Sequence, residues 1–282
     1  RTDPVVGSIQ EAIDDPTTVT GHVILVCPGT YEENVSVRKS LTVRSVGGRG
    51  VTVIQPSNAN DHVVRVMQPD VTMRGFTITD GGDAGIYVEH GAVGSCEIAE
   101  NRIEGNYHGL EIGAPSGSSL AVSAPTGGTD PIMDVSNNVI ASNEEFGILA
   151  NGSLNMRGSD NQIGNNGRSG IRATGDIAID GDNNDVSLNG HEGIWSLNGS
   201  LHIAGSVTVN NNGTAWPSDE YVSTRVGGLG AEEGIVLEDV EACGNKGHGI
   251  YGHDCSVTVE GNAIVCQNKG FGVLSTWNIT LR

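Results

Sequence analysis

The hydrophobic positions of this chain form columns, not helical stripes. A Gly-aliphatic step recurs at Gly85-Ile86, Gly109-Leu110, Gly147-Ile148, Gly170-Ile171, Gly193-Ile194, Gly234-Ile235, Gly249-Ile250 and Gly272-Val273. Successive steps lie 24, 38, 23, 23, 41, 15 and 23 residues apart, so the base period is about 23. Asparagine stands four residues before the glycine at Asn143, Asn166, Asn189, Asn245 and Asn268. A small or aliphatic residue precedes each asparagine by three: Ile140, Ile163, Val186, Ala242 and Val265. Asn106 with Ile103 repeats the pattern one residue out of phase. Three columns in one register at this period signify a stacked-repeat architecture.

No segment within a period holds a 3.6-residue amphipathic pattern, which excludes helical repeats, and there is no leucine ladder. Short alternating runs such as Ser153-Leu154-Asn155-Met156 and Asp176-Ile177-Ala178-Ile179-Asp180 read as strands. The predicted fold is therefore an all-β parallel β-helix solenoid of about 23 residues per coil, with 1–282 forming one domain. Each coil supplies two or three short strands, and the next coil pairs with them about 4.8 Å away. The asparagines are expected to form a ladder at a turn. Ahead of the regular repeat, strands are expected at Val23–Val26, Val35–Val37, Leu41–Val43 and Val51–Ile54. Ile9, Ala12 and Ile13 make one apolar face of a short helix, and residues 1–22 are expected to cap that end. Trp277 to Arg282 still alternates as a strand, so the last coil is expected to need cover from further chain or from end-to-end self-association.

The opening segment carries a resemblance. Ile9-Gln10-Glu11-Ala12-Ile13 and Pro28-Gly29-Thr30-Tyr31-Glu32-Glu33 resemble the start of pectin-lyase-like right-handed β-helix proteins, including pectin methylesterases and periplasmic or secreted carbohydrate-binding and sugar-hydrolase domains. The resemblance implies a right-handed coil and leaves the activity open, because one fold hosts many chemistries. The Gln-Asp-Thr-Leu-type and Asp-Phe-Ile-Phe-Gly-type motifs of the methylesterases do not occur here, which argues against that activity. Tyr251-Gly252-His253-Asp254 matches the Tyr-Gly-Phe-Asp-Pro-His motif of alginate epimerases too poorly to carry a role.

Composition narrows the partners. The 282 residues include 42 glycines, carry only 4% aromatics and have a formal net charge of −19. Such a field repels nucleic acid and anionic membranes, and suits calcium, cationic partners or glycans. No apolar run approaches the roughly 20 residues of a membrane helix. The expected location is extracellular, at the cell surface or periplasmic.

Candidate chemistry follows from the alternation of strands. Each aliphatic residue of the step points inward, so its successor points outward. The successors are Tyr87, Glu111, Leu149, Arg172, Trp195, Val236, Tyr251 and Leu274. Tyr87, Glu111, Arg172, Trp195 and Tyr251 are the candidate polysaccharide-binding residues, because rings stack on sugar faces while charged groups bond hydroxyls or uronates. Glu89, Glu238, His253 and Asp254 are expected to flank them. Two insertions, 114–133 and 213–230, are expected to emerge as loops, and the second adds Trp216 and Tyr221. Asp176, Asp180, Asp182 and Asp185 could hold calcium or form a plain turn. Cys243 and Cys266, one period apart, should be neighbours on adjacent coils, as a disulfide or as reduced thiols. Two functions stay open: binding or processing of polysaccharide, and a structural role as an adhesin shaft, surface-layer element or fibre subunit.

Overall fold

The computed structural model describes residues 7–113, 132–215 and 226–282. Among these residues the chain winds as a parallel β-solenoid of about ten coils, with three sheets of eleven, ten and ten strands. Each sheet takes every third strand in chain order, so one turn of the coil visits all three. The first full turn runs Val23–Val26, Gly29–Glu32 and Val35–Val37, in the first, second and third sheets respectively. The next coil re-enters the first sheet at Thr42–Ser45. No helix among the described residues is long and apolar enough to cross a membrane.

The core is a set of aligned side-chain columns. In the second sheet Ile54, Ile78, Ile103, Ile140 and Ile163 stack residue on residue. In the third sheet the column is Ile86, Leu110, Ile148, Ile171, Ile194, Leu229, Ile250 and Val273. From Ile86 to Ile250 these third-sheet residues are fully buried. Burying one such side chain stabilises by about 1.5–3 kcal/mol. With few aromatics to fill a wide core, a thin coil lined by β-branched residues is the shape this composition can pack.

The corners are built from a repeated pair. Residues 105, 142, 165, 188, 211, 244 and 267 adopt a left-handed backbone. Each is followed by a ladder asparagine: Asn106, Asn143, Asn166, Asn189, Asn212, Asn245 and Asn268. From Asn143 onward each side-chain carbonyl of that ladder accepts the backbone N–H of the preceding coil's asparagine, at 2.9–3.2 Å. The corner between the first and second sheets repeats the device with Asn101, Asn138, Asn161 and Asn184. Each of those follows a left-handed residue, at 100, 137, 160 and 183. Leu188 is the odd member, an exposed aliphatic at φ 63°. Its side chain crowds its own carbonyl there, a strain of about 1–2 kcal/mol. Leu188→Asn should therefore raise stability by about 1 kcal/mol in chemical denaturation, and a loss of stability would show that Leu188 has a packing role.

The opening motifs meet each other in space. Glu33 accepts from Ser8 Oγ (2.7 Å) and from the backbone N–H groups of Ile9 and Gln10 (both 2.8 Å), capping the helix Ile9–Asp14. Gln10 Oε1 accepts from Ser36 N at 2.6 Å. Lys39 closes the other end by donating to the carbonyls of Ile13, Asp15 and Thr18. Ile9 and Ile13 are buried against the coil. The motif residues thus hold the cap in place, which explains why they signal the fold and are silent on activity.

Two expectations need correction. Ile235 does not join the third-sheet column; it pairs with Leu201 and Val257 in the first sheet. Gly228-Leu229-Gly230 takes that place, because the strand Val226–Ala231 begins inside what reads as a loop to residue 230. Val236 and Glu238 consequently lie on the first sheet, away from the candidate face.

Candidate functional site

The outer face of the third sheet carries one column in unbroken register: Arg65, Tyr87, Glu111, Leu149, Arg172, Trp195, Gly230, Tyr251 and Leu274. Tyr87, Glu111, Arg172, Trp195 and Tyr251 are all half-buried. They share this face because the coil repeat, not the length of sequence between them, sets their neighbours. Trp216 and Tyr221 lie outside the described residues, as does most of 114–133.

The column has two chemically distinct ends. At one, the Trp195 and Tyr251 rings are nearly parallel (9°), with centroids 6.5 Å apart. Between them in register stands Gly230, which is buried although its position faces outward. A methyl group there would come within 2.6 Å of Trp195 Cζ3, so the indole lies across the glycine backbone. His248 and Phe271 continue the aromatic group, their rings 5.6 Å apart. Midway, the guanidinium groups of Arg168 and Arg172 both lie over the Phe146 ring, at 5.8 and 5.7 Å.

At the other end, His62, Asp83 and Glu111 bring one ligand-type atom each to within 4.8 Å of one another. They come from three successive coils: His62 precedes the strand Val64–Val66, Asp83 precedes Ala84–Val88, and Glu111 lies within His108–Ile112. The His62 ring stacks on Tyr87 at 4.3 Å and 8°. Arg65 lies over the same tyrosine at 5.6 Å and pairs with Glu89 at 2.7 Å. Asn151 donates to Glu111 at 2.8 Å. Burial, then the charge of Asp83, pushes the Glu111 carboxyl above its usual range, and the Asn151 bond opposes this. Burial holds His62 below the usual imidazole range against the pull of Asp83 and Asp61. These groups can accept and donate protons, bond sugar hydroxyls or hold a cation.

The sequence pattern alone had no means of finding His62 and Asp83. They sit in turns outside the repeated columns and are joined to Glu111 only by the stacking of coils. The four aspartates of 176–185 do not gather into such a group. Asp176 accepts from Ser200 N at 2.7 Å, Asp182 from Ser206 N at 3.1 Å and Asp185 from the Ser187 hydroxyl, while Asp180 faces Arg157 at 3.8 Å. They are spread from one sheet to the next around a corner, bonded as turn residues are. Cys243 and Cys266 face each other on adjacent strands, Cα atoms 4.6 Å apart, with their sulfurs joined as a disulfide. A groove of about 380 Å³ crosses the second sheet past Arg102, Glu104, Gln162 and Asp185; its lining has no ring to stack on a sugar.

Residues 68–219 match the family described as the right-handed β-helix region. This chain belongs to that family. The β-helix fits the pectin-lyase-like right-handed superfamily. It is similar to the enzymatically active domain of bacteriophage CBA120 tailspike protein 2, with a TM-score of 0.51 and 15% identity, over 96% of this chain and 43% of that one. It is also similar to the A-module of the Azotobacter vinelandii mannuronan C-5 epimerase AlgE6, with a TM-score of 0.50 and 13% identity, over 97% of this chain and 93% of that one. These likenesses concern the fold. A stretch of 96 residues, 34% of this chain, is 42% identical to a cell surface glycoprotein of Methanothermus fervidus. The β-helix aligns with 15% of the length of that relative.

Proposed function

We propose that this β-helix binds polysaccharide outside the cell, with the glycan lying along the coil axis on the outer face of the third sheet. The observation that carries this reading is the Trp195–Tyr251 pair, two nearly parallel rings of which the indole lies across the Gly230 backbone. Aromatic faces of this kind stack on the apolar faces of sugar rings. Arg172, Glu111 and Tyr87 continue the strip with groups that bond hydroxyls or uronate carboxylates. Support comes also from the fold relatives, one of which is an epimerase of mannuronan, and from the cell surface glycoprotein. The expected result is that Trp195→Ala weakens binding to the preferred polysaccharide by about 1–3 kcal/mol in titration calorimetry, while Trp195→Phe retains most of it. Unchanged affinity for a bound glycan would move the site off this face.

The match to the surface glycoprotein favours a second reading, a structural module of a larger surface protein. In that case a broad panel of neutral and acidic polysaccharides gives no saturable binding, with Trp195 intact.

A further inference from the structure

We propose that His62, Asp83 and Glu111 form a divalent-metal site of the zinc type on the outer face of the third sheet. Three lone-pair donors from three coils converge within 4.8 Å. His62 Nδ1 accepts the Ala84 N–H at 3.3 Å, which makes it the unprotonated nitrogen of the ring. That same nitrogen faces Asp83 Oδ2 at 3.5 Å. An acceptor nitrogen opposite a carboxylate oxygen is repulsive unless a proton or a metal cation sits between them. The separation is close to the edge of a tetrahedron drawn by bonds of about 2.0–2.1 Å, about 3.3 Å. An ion there supplants the long Ala84 contact.

The surroundings have the form of a supporting shell. The imidazole is held flat against Tyr87, and Asn151 orients the Glu111 carboxylate. The His62 side chain is 13% exposed while that of Asp83 is 44% exposed, so one side of the site is rigid and the other open to solvent. An ion held by three protein ligands keeps a position for water or an outside oxygen. Calcium is disfavoured, because it takes six to eight oxygen ligands whereas this set offers an imidazole and two carboxylates. Imidazole with carboxylate suits zinc among the common divalent ions.

The site shares Glu111 with the glycan strip proposed above, but it needs no glycan and is tested with metal alone. Zn²⁺ is titrated calorimetrically into the full chain at neutral pH, with Ca²⁺ and Mg²⁺ titrated in parallel. One saturable Zn²⁺ per chain is expected, with affinity falling at least tenfold in Asp83→Asn and in Glu111→Gln and lost in His62→Gln. Asp83 is the safest substitution for folding because its side chain is largely open, and circular dichroism checks each variant. Two decoys must leave the affinity unchanged: His253→Gln, whose imidazole faces Asp254 at 3.8 Å, and Cys27→Ser, an exposed thiol. The proposal is overturned if Zn²⁺ does not bind at millimolar concentration, if a decoy abolishes binding, if well-folded Asp83→Asn and Glu111→Gln chains bind as the parent does, or if Ca²⁺ binds more tightly than Zn²⁺.

Discussion

Replacing Asn166 by alanine should cost roughly 3–5 kcal/mol, on the order of 10 °C in melting temperature. Asn166 sits mid-ladder and fully inside the coil wall. Its Oδ1 accepts both the backbone N–H (3.2 Å) and the side-chain amide (2.9 Å) of Asn143. Its Nδ2 donates to the Ile140 carbonyl at 3.2 Å and to Asn189 Oδ1 at 3.0 Å. Alanine strips partners from buried groups on two coils, and each orphan costs about 1–3 kcal/mol because no water reaches it. Aspartate is no remedy: it keeps the acceptor but turns a carboxylate oxygen toward the Ile140 carbonyl, burying a charge. Asn198→Ala, at an exposed asparagine, should change stability by less than about 0.5 kcal/mol. Should Asn166→Ala unfold within about 1 kcal/mol of the parent in guanidinium, the ladder is decoration.

Gly170→Ala should be comparably damaging, at roughly 3 kcal/mol, although it adds a single methyl group. That methyl would meet Val186 Cγ1, Asn189 Nδ2 at 2.7 Å and the Gly193 carbonyl at 2.8 Å. Two of those atoms belong to the hydrogen-bonded frame and cannot swing away. Gly152→Ala provides the control, since a methyl there meets nothing within 4 Å, and it should be close to neutral. If the steric account is right, Val186→Ala relieves part of the Gly170→Ala loss, so the double variant is more stable than additivity requires. Strict additivity in urea titrations would count against it.

These two substitutions explain why the repeat is so legible. The Gly, Asn and Ile/Val columns are one contact unit: Gly147 abuts Ile163 and Asn166 of the next coil, Gly170 abuts Val186 and Asn189, and Gly249 abuts Val265 and Asn268. Because each coil makes the same contact with the next, the constraint is printed in the chain at a period of about 23. The same logic reveals a signal the first ladder overshadowed. Asn101, Asn138, Asn161 and Asn184 each precede a member of that ladder by five residues, so Asn-x-Ile/Val-x-x-Asn is the full corner signature. The Gly234-Ile235 step was misleading because a Gly-aliphatic pair also occurs in the first sheet, where the asparagine four residues earlier is missing.

Local periodic constraints therefore determined the solenoid, its strands and, apart from the Leu229-Gly230 position, its inward columns and the outward column from Tyr87 to Tyr251. Backbone pairing between coils repeats the same distances, so position within a period is enough to name a residue's neighbours. Only the tertiary structure decided how corners and irregular segments meet. His62 and Asp83 lie in turns of differing length, and no period relates them to each other or to Glu111. Gly230 entered the aromatic strip because the chain returns to register after an insertion whose length carries no periodic information. Aliphatic columns are set by packing that every coil must satisfy, whereas a site is made once, by side chains that the winding of the coil happens to bring together.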